Sequence, residues 1–222
     1  MSNLNCMNCT VAACEHAERE RPSFCVQPHV SEEMCKEANE LYLSPENYAI
    51  VEAASLVVEE TVDSTRVQDT IKFAHYLGAK RIGIATCTIM LNETRVLAKL
   101  LRAAGFEVEA IGCKIGDNHR ADFDLEPTKN GTDPVLCNPI MQAMLLNEAH
   151  TDLNVIMGLC VGHDALFSKY SDAPVTTLVA KDFLAANNPC AVLYTAGTNG
   201  VYNSKIQRTI EDVRKAREEQ DR

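Results

Sequence analysis

Over residues 1–30 apolar and polar positions follow neither a helical nor a strand period, and the pattern changes at Ser31. Across 31–43 and again across 44–60 apolar residues recur at helical spacing, and Ser44 before Pro45 reads as an N-cap followed by proline at the first helical position. A third helix is predicted to start near Asp63, with Thr65 and Gln68 spaced as a capping box, and to end where Gly78 can turn left-handed. Beyond it the period shortens. Residues 81–86 form a short apolar run bounded by turn signals, which predicts a strand. The helix that follows carries Leu97, Leu100, Leu101 and Ala104 on one face and stops at Gly105. Further strands are expected at 106–111, 153–159, 175–180 and 191–194, with a helix over 139–149. From Ser204 a narrow stripe of Ile206, Ile210 and Val213 predicts a helix that docks briefly and then becomes wholly charged.

Strands alternating with helices indicate parallel βαβ units. The expected architecture is therefore α/β: a three-layer, doubly wound, mostly parallel sheet with a small N-terminal cysteine-rich module. Residues 1–30 form that module, 31–78 a helical linker segment packing on the body, 79–203 the Rossmann-like body, and 204–222 a C-terminal helix.

A hydrophobic content of 46% is normal for a globular chain of 222 residues, but 31 acidic against 21 basic residues leave a formal charge of -10. Such a surface repels phosphate backbones and anionic lipid, so nucleic acid and membrane are set aside as partners. No run approaches the roughly 18 to 20 apolar residues of a spanning helix, since Glu52 interrupts even residues 49–58. Residues 1–10 have neither a basic start nor an apolar run, which predicts no secretory signal and a cytoplasmic location. In that reducing compartment ten cysteines point away from a disulfide framework and toward metal ligation or thiol chemistry, the plain alternative being small buried hydrophobes.

Four of the ten, Cys6, Cys9, Cys14 and Cys25, lie in the segment without a period. The two-residue gap lets a tight turn aim two thiolates at one ion, and two more complete a sulfur site of the kind zinc prefers, although an iron-sulfur cluster would also accept four thiolates. Cys35 is a spare ligand or a packing residue, and His16 and His29 are read as solvated. Three more cysteines follow predicted strands: Cys87 the first, Cys113 the second, Cys160 the third. Ligands of open α/β sheets bind beyond the strand carboxyl ends, so these are expected to converge on one site.

Cys137, just before a helix starting at Pro139, would add a fourth sulfur to that site, its thiolate favoured by the positive helix end. The long loop before it carries Asp117, His119, Asp122 and Asp124 as candidate pocket residues. Cys160 and His163 have the spacing of a metal pair, with Asp164 next and Gly158 and Gly162 permitting close backbone approach. Lys181 and Asp182, past the fourth strand, are expected to face the same crevice. His75, Met90, Met141, Met144, Met157 and Cys190 are read as packing residues. Residues 196–200 read as a turn, because the strand-glycine-helix spacing of a dinucleotide site is missing.

The chain resembles the prokaryotic family known as domain of unknown function 1847, whose members are often labelled metal-binding proteins. The resemblance covers nearly the whole length. It rests on Cys6-x-x-Cys9 with Cys14 and residues 22–25, on Ile82-Gly83-Ile84-Ala85-Thr86-Cys87, on Gly112-Cys113-Lys114-Ile115-Gly116, on Cys137-Asn138-Pro139-Ile140, and on Gly158-Leu159-Cys160-Val161-Gly162-His163-Asp164. A glycine usually follows the second N-terminal cysteine in that family, where this chain has Thr10. The resemblance implies metal binding and an α/β body, and no reaction.

The expected function is metal binding at two sites, Cys6, Cys9, Cys14 and Cys25 in the module and Cys87, Cys113, Cys137 and Cys160 at the strand ends, each holding zinc or an iron-sulfur cluster. Were the second site to hold a cluster, an iron-sulfur-dependent oxidoreductase or sulfur-transfer enzyme acting on a small molecule would follow, with His163 and Lys181 as proton donors and a redox protein as a possible partner. The alternative is a non-catalytic binding or scaffold protein with a structural zinc.

Overall fold

In β1 (Arg81–Thr86), Ile82 and Ile84 turn to one face while Gly83 and Ala85 turn to the other, and all four are buried. A strand hidden on both faces belongs at the centre of a sheet covered by two helical layers. That is its position. In this computed structural model, which describes residues 5–59 and 61–220, β1 lies between β2 (Glu107–Gly112) and β3 (Leu153–Met157), and β4 (Val175–Val179) pairs with β3. The sheet order is β2-β1-β3-β4 and every pairing is parallel.

The chain winds from β1 outward through α4 (Leu91–Ala103) to β2. It then crosses back through α5 (Pro139–Glu148) to β3 and continues through α6 (His163–Tyr170) to β4. Right-handed crossovers in opposite directions put α4 on one face and α5 with α6 on the other. The two cores follow. Leu97, Ala98 and Leu101 of α4 and Ala74 of α3 (Arg66–Tyr76) pack on Ile82, Ile84, Val108 and Val155. Ala143 and Leu146 of α5 and Phe167 of α6 pack on Ala85 and Ile156. The winding reverses between β1 and β3, so a crevice opens beyond their carboxyl ends.

Contacts divide the chain into two units, Met1–Leu56 and Val57–Arg222. In the first, a turn joins Cys9 N to Cys6 O (3.1 Å), a second joins Cys25 N to Pro22 O (2.9 Å), and Asn5 N donates to Phe24 O (3.3 Å), bringing the two turns side by side. Ala13 is buried there. Helix α1 (Glu32–Tyr42) is capped by Ser31, whose hydroxyl accepts from Met34 N, and α2 (Pro45–Val58) begins at its proline. In the second unit the box at Thr65 and Gln68 is formed, and Gly78 and Gly105 have φ of +74° and +95°.

Residues 191–194 are not a strand. They lie in α7 (Pro189–Thr195), where Asn188 and Pro189 start a helix and Leu193 and Tyr194 stay exposed. Cys190 on α7 and Cys35 on α1 are exposed and therefore do not pack. The buried stripe of α4 is Thr94, Leu97, Ala98 and Leu101, which leaves Leu100 45% exposed on the far side. Helix α5 buries Pro139, Gln142, Ala143 and Leu146, so Met144 points to solvent, and His75 is exposed as well. Met90 and Met157 are core, and Met141 is half-buried. The C-terminal helix α8 (Asn203–Gln220) buries no residue.

Candidate thiol centre

Each strand delivers one soft or cationic group to the crevice. Cys87 leaves β1, where its N–H donates to Met157 O at 3.0 Å, and its carbonyl accepts from Met90 N at 2.8 Å. Cys160, past β3, accepts on its carbonyl from His163 N (2.9 Å) and Asp164 N (3.2 Å), the first turn of α6. Lys181 follows β4 and closes the pair: its Nζ donates to Cys87 Sγ at 2.8 Å and to Cys160 Sγ at 3.2 Å. The ammonium thus sits across the reversal between β1 and β3. It also lies 5.4 Å from the centre of the Phe183 ring.

A second pair lies beside the first. Cys113 follows β2, Cys137 precedes α5, and their sulfurs are 3.5 Å apart, Cys137 donating. Thr88 Oγ1 is 3.9 Å from Cys113 Sγ. Cys87 and Cys113 are buried, whereas Cys137 and Cys160 are half-buried. The four cysteines singled out at strand ends therefore come together as an ammonium-bridged pair and a dithiol pair, linked by contact between Cys87 and Cys113.

Cys87 and Cys137 shift in opposite directions. Burial pushes the Cys87 thiol up, but the Lys181 ammonium and the Ile89 N–H outweigh it and hold the group below the usual thiol value. Burial together with the hydrogen bond and charge of Cys113 pushes Cys137 up to about 11, against a smaller pull from Lys114. Lys181 loses to burial and gains more from its two sulfur acceptors, so its pKa is raised and it stays an ammonium. Burial, followed by the positive charges of Lys181 and Lys114, lowers His163 despite Asp164, and its Nδ1 is buried with no hydrogen-bond partner.

Gln142 is a site residue that hydrophobic periodicity does not mark out. Fully buried on the inner face of α5, it donates through Nε2 to Thr86 O (3.2 Å) and Ile111 O (2.7 Å), tying together the ends of β1 and β2 just before Cys87 and Cys113. A polar residue on an otherwise apolar stripe was the available signal. The loop acids have local tasks: Asp122 Oδ2 accepts from His119 N at 2.7 Å, and Asp117 and Asp124 hold turn positions with φ of +50° and +53°. Asp182 caps its own turn, accepting from Ala185 N at 3.1 Å. Asp164 Oδ1 accepts from Gly162 N at 3.0 Å.

In the N-terminal unit Cys6, Cys9, Cys14 and Cys25 line one cavity of about 500 Å³ together with Ala13, Phe24 and Val30. The N–H groups of Val11 and Ala12 point at Cys9 and hold its thiol below the usual value. Ala12 has a φ of +49°, and successive N–H groups in such a turn form an anion-binding nest. His16 lies 3.5 Å from Glu18, and neither it nor the exposed His29 lines the cavity. Among the described residues no group of three or more Cys, His, Asp or Glu side chains is arranged to hold a metal ion. No helix among them is long and apolar enough to cross a membrane.

Fold and site define a class: a parallel, doubly wound α/β protein with thiols gathered where the winding reverses. The chain belongs to the family described as protein of unknown function, domain of unknown function 1847, which matches residues 25–178. All four strand-end cysteines fall inside that span, while Cys6, Cys9, Cys14 and Lys181 fall outside it. The chain is also similar to an uncharacterised protein of Methanocaldococcus jannaschii, 42% identical over 158 residues, 70% of this chain and 81% of the relative. No solved structure matches it significantly.

Proposed function

We propose that this protein is a thiolate metalloprotein in which the strand-end set Cys87, Cys113, Cys137 and Cys160 is the reaction centre. The N-terminal set Cys6, Cys9, Cys14 and Cys25 is a second, structural metal site. The observation that carries the reading is the gathering of two thiol pairs, Cys87 with Cys160 across Lys181 and Cys113 with Cys137, beside the β1/β3 reversal, where open α/β sheets bind their ligands. An all-sulfur donor set suits zinc or an iron-sulfur cluster and not a hard cation. In the first unit, the shared cavity and the N–H groups aimed at Cys9 favour the same soft chemistry.

A bound zinc ion would supply Lewis acidity, and a cluster would supply single electrons. The chain's own groups do the rest. Lys181 keeps a positive charge against Cys87 and Cys160, which stabilises the Cys87 thiolate and attracts an anionic small molecule or redox partner. His163, held neutral, offers Nδ1 as a proton acceptor. A reducing compartment such as the cytoplasm keeps the thiols available.

Anaerobic purification followed by metal and acid-labile sulfide analysis tests the reading, with Cys6→Ser/Cys9→Ser and Cys113→Ser/Cys137→Ser variants of the full chain. Each double variant should lose one share of the metal and keep the other. A folded wild type with neither zinc nor iron after anoxic preparation refutes the proposal. A second reading is favoured by the Lys181 ammonium itself, which already supplies a cation to two of the sulfurs. In that reading the body is a metal-free thiol site on a binding protein, and zinc is confined to the N-terminal cysteines. Metal lost wholly in Cys6→Ser/Cys9→Ser and unchanged in Cys113→Ser/Cys137→Ser would select it.

A further inference from the structure

The four strand-end thiols are not equivalent. Cys87 and Cys160 share an ammonium, whereas Cys113 and Cys137 face each other with their sulfurs 3.5 Å apart. The backbone around the second pair is clamped. Asn138 N donates to Cys113 O at 2.7 Å and Leu136 N to Asn118 O at 2.7 Å, Asn138 Nδ2 donates to Asn118 Oδ1 at 2.9 Å, and Lys114 Nζ donates to Val135 O. Residues 113–118 and 135–138 therefore run side by side, and the sulfurs approach without any fold-scale movement. A disulfide bond is about 2.05 Å long, so closure needs a shift of roughly 1.5 Å, within reach of side-chain rotation. Cys113 is 2% exposed and Cys137 is half-buried, so a reagent from solvent meets Cys137 first.

We infer that Cys113 and Cys137 are a reversible dithiol whose substrate class is the low-molecular-weight disulfide, and that its oxidation regulates the metal centre proposed above. The second half of this inference rests on that metal reading; the first does not. In the oxidation, Cys137, a thiol at rest, gives its proton to solvent, and the thiolate so formed attacks one sulfur of RSSR. A Cys137–SR bond forms, the RS–SR bond breaks, and one RS⁻ leaves. Cys113, its proton given to solvent, then attacks Cys137 Sγ, forming the internal bond and expelling the second RS⁻. Two protein thiols are oxidised and one RSSR is reduced to two RSH. The product has lost two of four sulfur donors, and the remaining two are those held by Lys181.

The test titrates the reduced full chain with oxidised glutathione, with and without prior zinc loading, and maps linkages by mass spectrometry of a non-reduced digest. Cys6→Ser/Cys9→Ser serves as background so that zinc reports on the body, and Cys190→Ser controls for an exposed thiol. The peptide joining Cys113 to Cys137, lighter by two hydrogens, should form before any other linkage within residues 57–222. Zinc should slow its formation, and oxidation should release the zinc. Cys137→Ser should abolish the linkage while Cys190→Ser leaves it unchanged. Glutathione remaining on Cys137 with no internal linkage overturns the dithiol. A linkage that forms at the same rate with zinc and releases none overturns the regulation alone. A reduced background variant that binds no zinc and, prepared anoxically, holds no iron sinks the metal reading and the regulation with it, and the linkage is then judged by its own mass.

Discussion

Gly158 ends β3 with a φ of +65°, its N–H donating to Val179 O at 2.9 Å, and a Cβ built on it would lie 2.1 Å from Met90 Sδ and 3.2 Å from Met90 Cγ. Met90 is 6% exposed and closes the short turn Thr88–Met90 that follows Cys87. Gly158→Ala therefore strains both arms of the site, the Cys160 arm through the backbone and the Cys87 arm through Met90. A left-handed alanine costs about 1 kcal/mol and overpacking a buried neighbour about 1 to 3 kcal/mol, giving a loss of about 3 kcal/mol. For a chain of this size that lowers the melting temperature by about 6 to 12 °C. The assay is thermal unfolding under reducing conditions, with the reaction rate of Cys87 and Cys160 toward a thiol reagent measured on the same samples. Both thiols should react faster. A double-mutant cycle separates the two causes, because in a Met90→Ala background only the backbone cost of about 1 kcal/mol survives, leaving a coupling of about 1 to 3 kcal/mol. Additivity to within about 0.5 kcal/mol would show that Met90 is not what Gly158 makes room for.

Three further outcomes follow from the same contacts. Lys181→Met removes the ammonium and leaves burial to dominate, so the pKa of Cys87 rises and its site-resolved alkylation profile moves to higher pH; an unmoved profile breaks the pairing. Cys137 has a pKa raised from 9.0 to about 11, so folding favours its protonated form; that stability is whole below pH 9.0 and is lost as pH climbs toward about 11. Urea unfolding of Cys137→Ser should accordingly show a shallower alkaline loss than wild type over that window, and parallel curves would contradict it. Gly83→Ala puts a Cβ 1.9 Å from Asn154 Oδ1, which is fully buried and held by Thr151 Oγ1 at 2.8 Å. It should destabilise the body by about 2 to 4 kcal/mol, measured by chemical unfolding, from overpacking plus the loss of a buried hydrogen bond.

Much of this protein was legible before folding, because helix and strand periods, caps and turns are decided by residues near one another. The box at Thr65 and Gln68, the stops at Gly78 and Gly105, the four paired strands and the cysteines that follow three of them are all of this kind. Local reading failed where the signal was short or one-sided. Four apolar residues at 191–194 carry no usable period, and Pro189 started a helix there; Leu100 and Met144 fit apolar spacings, yet their helices bury other stripes.

Only the tertiary structure decided which sulfur meets which. That Cys113 faces Cys137 follows from the antiparallel run of 113–118 and 135–138, which pairs residue 113 with 138 and 118 with 136. That Lys181 bridges Cys87 and Cys160 follows from β3 lying between β1 and β4. Gln142 likewise acquires its role only when β1 and β2 become neighbours beneath α5. Spacing along the chain sets which groups a segment can offer to a strand end. The order of strands in the sheet depends on burying two faces at once, and that long-range condition is not written in any one stretch of residues.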